Sequence, residues 1–144
     1  MLHQFEEYVL PGGFQEFFNT NIYNPNGFIR FKINNTSVFH VNVTLGWTAY
    51  LFGAFTGNNP PLFLTILLVI TLINGIVHTI AFVVLRKYNP GFITGLLLFI
   101  PFSVYSITKF ANERIITKVS WFSIIIFAIT GTLLIPLILY LSKK

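Results

Sequence analysis

Residues 62–85 read LFLTILLVITLINGIVHTIAFVVL, with no Asp, Glu, Lys or Arg, and Arg86-Lys87 closes the run. A helix that crosses a bilayer needs ~20 mainly apolar residues, so this stretch predicts a membrane span. Besides three threonines, two more strongly polar residues interrupt it, Asn74 and His78, spaced i and i+4 and so on one helix face. Polar and ionisable groups inside a span are costly and face a bundle interior with a partner. The stretch therefore predicts a helical bundle with something built inside it.

The rest of the chain extends that reading. Charge is absent from 33–85, from 88–108 and from 119–142, and the whole sequence holds only nine Lys and Arg and four Asp and Glu in 144 residues. A soluble domain devotes about a quarter of its residues to charge; here the share is 9%, with 54% apolar and a mean hydropathy of +0.74. These figures exclude most soluble folds and also disorder, which needs low hydrophobicity. The expected fold is an all-α integral membrane protein forming one domain over 1–144. Its spans are expected at 38–56, 62–85, 92–108 and 119–141. Gly57-Asn58-Asn59-Pro60-Pro61 and Tyr88-Asn89-Pro90-Gly91 are turns, and Pro101 and Pro136 are kinks. Val38–Leu45 also alternates polar and apolar residues, the pattern of a β-hairpin with Phe28–Ile33. A helix is preferred because open strand edges leave backbone groups unpaired in hydrocarbon.

Residues 1–20 form a separate unit. Leu2, Phe5, Tyr8 and Val9 recur at helical spacing until Pro11-Gly12-Gly13 breaks the helix, and Phe14–Asn19 make a second short amphipathic piece. A surface loop over 21–37 follows. No leader-like apolar core is expected here, since Glu6, Glu7 and Glu16 interrupt it. Residues 2–10 either end a bilayer helix or lie flat on its surface.

The nine basic residues sit at span ends rather than on one face, which orients membrane helices and argues against nucleic acid. Arg30, Lys32, Arg86, Lys87, Lys143 and Lys144 gather on one side; Lys109, Arg114 and Lys118, set against Glu113, lie on the other. Both termini and the Arg86 turn are therefore expected in the cytoplasm, at the cytoplasmic membrane of a prokaryote. The absence of cysteine excludes disulfide frameworks, thiolate metal sites and cysteine nucleophiles.

With so few ionisable residues, candidate chemistry is easily located. His3-Gln4-Phe5-Glu6-Glu7 sets an imidazole and two carboxylates at i, i+3 and i+4 of a short helix. In two-ligand helical metal sites, ligands at i and i+4 flank a catalytic glutamate. On that pattern His3 and Glu7 are metal ligands and Glu6 is a base or a further ligand. The charge-based topology brings His78 and His40 to the same side of the membrane as His3. The bland alternatives are a solvated interfacial helix for the first cluster and a helix–helix hydrogen bond for Asn74 and His78.

The set His3-x-x-Glu6-Glu7, Asn74-x-x-x-His78, Arg86, Pro90-Gly91, Thr94 and Pro101 resembles the HXXEE family of small integral membrane proteins. The resemblance runs from His3 to about Tyr105, and the last span matches only in being hydrophobic. It implies a metal-dependent or glutamate-based membrane enzyme and points to His3, Glu6, Glu7, Asn74 and His78. Arg86, and His40, which has no counterpart in the resemblance, are expected as supporting or substrate-facing groups. The expectation is a divalent metal (zinc, iron or manganese) held by His3, Glu7 and His78, with Glu6 and Glu7 catalytic. Asn74 is expected to hydrogen-bond and orient His78. Hydrolysis of a lipid-like or membrane-borne substrate is the first expected reaction, with membrane lipid and a second copy of the chain as partners. The rival is a non-enzymatic transporter or complex subunit whose polar residues form a relay or helix–helix hydrogen bonds.

Overall fold

A computed structural model describes residues 1–27, 29–56, 61–116 and 118–141. Six helices account for most of them: α1 (Leu2–Tyr8), α2 (14–22), α3 (35–56), α4 (Pro61–Leu85), α5 (Phe92–Asn112) and α6 (Lys118–Leu141). No strand occurs among the described residues. The expected turn at 57–61 falls mostly outside the described residues, as do Lys143 and Lys144.

Three helices are long and apolar enough to cross a membrane: Leu62–Leu85, Phe92–Asn112 and Ser120–Leu141. Large apolar residues on them point outward (Val84, Phe102 and Phe122 are 62–72% exposed) while Thr65, Thr71, His78 and Ser103 are buried. That inversion of the usual soluble arrangement suits hydrocarbon outside and satisfied polar groups inside. The helix over 35–56 is continuous, yet it is not one of the three. His40, Asn42, Thr44 and Thr48 dilute its apolar character.

The alternation that suggested a hairpin in this region is overridden at its start. Asn34 accepts a hydrogen bond from the Ser37 backbone N–H at 2.8 Å, which caps the helix three residues before the expected beginning. Upstream, the Asn19 side chain pairs with both backbone groups of Ile33, at 2.8 and 2.9 Å, and anchors the loop to α2.

The helix α4 is the hub, with α3, α5 and α6 packed on it. Gly75 and Gly95 set the α4–α5 approach. A Cβ on Gly75 would lie 2.8 Å from the Gly95 carbonyl oxygen, so only glycine permits this crossing. The close approach lowers the start of α5 onto His78, one turn further along α4. The helix α1 then packs across the start of α5, which builds the site.

Candidate metal centre

His3, Glu6 and Glu7 are the buried residues of α1, yet its two carboxylates part company. One step along a helix turns a side chain by about 100°, so Glu6 faces the start of α5 and Glu7 faces His78. Glu6 Oε1 accepts from the Tyr88 hydroxyl at 2.6 Å and the Ile93 N–H at 3.0 Å. Glu6 Oε2 accepts from the Thr94 N–H at 2.7 Å and its hydroxyl at 2.5 Å. The α5 N-cap, Gly91, offers no side-chain cap; Glu6 supplies one from another helix, a carboxylate at the positive end of the helix dipole. Burial alone would raise its pKa, but hydrogen bonds from Thr94, Tyr88 and the Ile93 backbone outweigh that and lower it from 4.5 to about 2. Burial and the neighbouring Glu6 charge push the Tyr88 phenol upward, so it stays a donor.

Because Glu6 can only accept, Thr94 spends its hydroxyl hydrogen on Glu6 and accepts from His3 Nδ1–H at 2.8 Å. This fixes the His3 tautomer and leaves the Nε2 lone pair free of a proton. Asn74 Nδ2 donates to that Nε2 at 3.0 Å. Glu7 Oε1 lies 3.4 Å from His3 Nε2 and 3.3 Å from His78 Nε2. Burial opposes ionisation of Glu7, but hydrogen bonding from the His78 imidazole keeps its pKa below the usual value. The imidazoles meet edge to face with centroids 4.9 Å apart, and His3 also lies on Phe99.

These distances exceed the ~2.7–2.9 Å of a charge-assisted hydrogen bond. They match the edge of a coordination tetrahedron: metal–ligand bonds of ~2.0–2.1 Å separate neighbouring ligand atoms by about 3.3–3.4 Å. All three ligand atoms lie within 4.8 Å of one another and all three residues are buried. The donor set is nitrogen and oxygen without sulfur, which suits zinc, iron or manganese. His3 also has the outer support expected of a ligand, an N–H bonded toward a carboxylate through Thr94. His78 Nδ1 is buried and has no hydrogen-bond partner among the described residues. One adjustment is required: the His3 Nε2 lone pair cannot serve Asn74 and an ion together, so the Asn74 amide must yield.

The expected site residues thus separate. His3, Glu7 and His78 come together. Glu6 does not join them; both its oxygens are committed to the start of α5. Asn74 bonds His3 rather than His78, a correction that follows from His3 reaching over α4 while the His78 ring points under Gly91. His40 is exposed on α3, beside Phe39. Arg86 is exposed beyond the end of α4, at a φ of 52°. Neither lines the cavity at the cluster. The Pro90-Gly91 turn proves part of the site. At Gly91, φ is 98° and an added Cβ would fall 2.6 Å from His78 Cε1 and 2.8 Å from His3 Cε1, so glycine is needed for both conformation and space.

Reasoning from residue types undervalued Thr94 and Tyr88, which hold Glu6. Their signal lay in position, within one turn of a helix start that carries no cap of its own. The cluster forms one end of a part-enclosed cavity of ≈ 230 Å³ between α1, α3, α4 and α6.

All-helical among the described residues, with buried histidine and glutamate side chains clustered between apolar helices, the chain has the character of a helical membrane protein. The chain matches the family model described as "Protein of unknown function with HXXEE motif" over residues 1–106 and belongs to that family. The matched segment contains α1, the Gly91 turn and His78, and leaves out α6. No curated protein and no solved structure matches the chain.

Proposed function

We propose that this chain is a membrane-embedded metal-dependent hydrolase acting on a lipid-like substrate, with His3, Glu7 and His78 as ligands. The observation that carries the reading is the buried triad, with Nε2···Oε1 separations of 3.4 and 3.3 Å, at the end of an apolar cavity. A bound divalent ion supplies Lewis-acid polarisation of a carbonyl or phosphoryl oxygen and makes water acidic enough to act as a nucleophile near neutral pH. The chain's own residues do the rest. Thr94 and Glu6 hold His3 with its lone pair inward, Glu7 brings a negative charge against the cation, and the apolar walls exclude bulk water. Glu6 is a positioning residue in this reading, and the HXXEE glutamates divide into a joint and a ligand.

The helix over 35–56 is proposed as a fourth span, completing the wall of the cavity opposite α4. With four spans, both termini and the Arg86 turn face the cytoplasm, in line with the basic residues there. The chain has no cysteine, so single cysteines report cleanly: one at Asn58 labels from outside the cell and one at Lys144 does not. The reverse pattern would invert this orientation.

A relay in place of an enzyme draws on one observation, the continuous hydrogen-bonded path Tyr88–Glu6–Thr94–His3–Asn74. Metal content separates the two. Detergent-purified protein dialysed against zinc, iron(II) or manganese(II) should hold one ion per chain by X-ray fluorescence, and His3→Ala and His78→Ala should each lose it. Wild-type protein that retains none of these ions sinks the metalloenzyme and leaves the relay.

A further inference from the structure

We propose that the cavity is a slot for one acyl chain, so that the substrate class is a single-chain amphiphile with its head group at His3, Glu7 and His78; this rests on the metal-site reading. The lining changes character along its length. At one end stand His3, Glu7, His78 and Asn74; further on the walls are Leu45 and Ala49 from α3, Leu67 and Ile70 from α4, and Leu134 and Ile135 from α6. From His78 to Leu67 the slot follows α4 for about 16 Å at ~1.5 Å per residue. The Tyr50 hydroxyl, bonded to Thr71 and to the Leu67 carbonyl, lies at the far end. A part-enclosed cavity, polar at one end and apolar beyond, is complementary to a head group followed by a hydrocarbon chain.

Size decides between one chain and two. The ≈ 230 Å³ of the slot falls below the ~300–1,000 Å³ of pockets that hold drug-sized ligands, which suits one medium-length hydrocarbon chain rather than two. The way in is also built. An open groove of ≈ 960 Å³ runs between the α1–α2 unit and α3, and it shares Gln4, Tyr8, Phe14, Val38 and Asn42 with the slot. Gln4 Oε1 is buried there with no partner among the described residues, and Tyr8 interacts with both Glu7 and Asn42. These polar groups line the route along which a head group passes from the groove to the triad.

The test is photolabelling of full-length protein in lipid nanodiscs with a medium-chain fatty acid carrying a terminal diazirine, mapped by mass spectrometry. Label at Leu67 or Ile70 is expected, and Ala49→Phe, which fills the slot, should abolish it. Should that variant fail to fold, Leu67→Ala lengthens the slot and should shift labelling efficiency toward longer probes. Label confined to outward residues such as Phe55, Phe102 and Phe122, or slot label unchanged by both variants, overturns the proposal. Equal slot labelling by a diacyl phospholipid with the same group overturns its single-chain part. Zinc is measured on the same samples. Zinc without slot label removes the slot and spares the metal centre; slot label without zinc does the reverse.

Discussion

Glu6 and Glu7 are neighbours in sequence, equally buried, at 6% and 5% exposure, yet the regions they enter are built on opposite terms. At the start of α5, Glu6 meets four donors at 2.5–3.0 Å. At the cavity end, Glu7 has the Tyr8 side chain beside it and, at Oε1, two imidazole nitrogens at 3.3 and 3.4 Å, one of which already accepts from Asn74. A buried carboxylate is tolerated only when its charge is compensated. Glu6 is compensated by the fold itself. Glu7 is compensated loosely, at spacings a cation would complete. The difference teaches that a motif of two adjacent acids need not mean two acids doing one job: the first fastens α1 down so that the second is held under His78.

The largest expected effect tests that division directly. Glu7→Gln should abolish ion binding, while Glu6→Gln, which sets an amide against four donors, should weaken it about 10–100-fold, as loss of outer support does. Chelator competition on purified protein measures both. Stronger loss in Glu6→Gln than in Glu7→Gln would reverse the assignment and break the comparison.

The fold was more legible than the site, for reasons visible in particular residues. Charge-free runs mark α4, α5 and α6 because a bilayer imposes one length and one composition on every span. The helix over 35–56 was legible as a helix, but Asn42 and His40 leave its membrane character open to composition. His3, Glu7 and His78 could be nominated from spacing and topology together. What spacing could not show was the 100° turn that separates Glu6 from Glu7, or that Asn74 would reach past His78 to His3. Those depend on where α1 lies relative to α5, and the docking of a seven-residue helix is set by contacts distant in sequence.

A pair of glycines sharpens the comparison through sterics. Gly91 and Gly13 share the left-handed conformation, at φ of 98° and 89°, but a Cβ on Gly13 meets nothing within 4 Å whereas one on Gly91 strikes both imidazoles. Gly13→Ala should therefore cost only the conformational ~1–2 kcal/mol. Gly91→Ala should cost about 3 kcal/mol, adding strain of overpacking, and should reduce ion binding as well. Thermal melts in detergent read the stability difference. Equal costs would mean that the histidine rings are not held against the turn.

A smaller effect follows from the depressed Glu6 carboxyl. Its pKa is about 2 against an ordinary 4.5, so its contribution to α1 docking is complete above 4.5 and is lost as the pH falls from there toward 2. Hydrogen exchange over residues 2–8 should accelerate, beyond the intrinsic pH effect, in that window. Glu7→Gln should keep the acid response, and Glu6→Gln should exchange fast at every pH. Thr94→Val removes one hydroxyl donor and should shift docking by about 1–3 kcal/mol. An acid response that survives in Glu6→Gln would place the sensitive group elsewhere.

The smallest expected effect concerns Asn74. Its amide donates to the one lone pair on His3 that an ion requires, so in the ion-free state it competes with metal rather than assisting it. A hydrogen bond of this kind contributes about 0.5–1.5 kcal/mol net, equivalent to roughly a tenfold factor or less. Asn74→Ala should accordingly leave zinc affinity unchanged or tighten it by up to about tenfold, whereas His3→Ala removes a ligand. If Asn74→Ala instead weakened zinc about a hundredfold, the amide would have to turn its carbonyl toward the ion and act as a ligand. The loosely compensated region would then be a four-ligand site, with less room left on the ion for substrate.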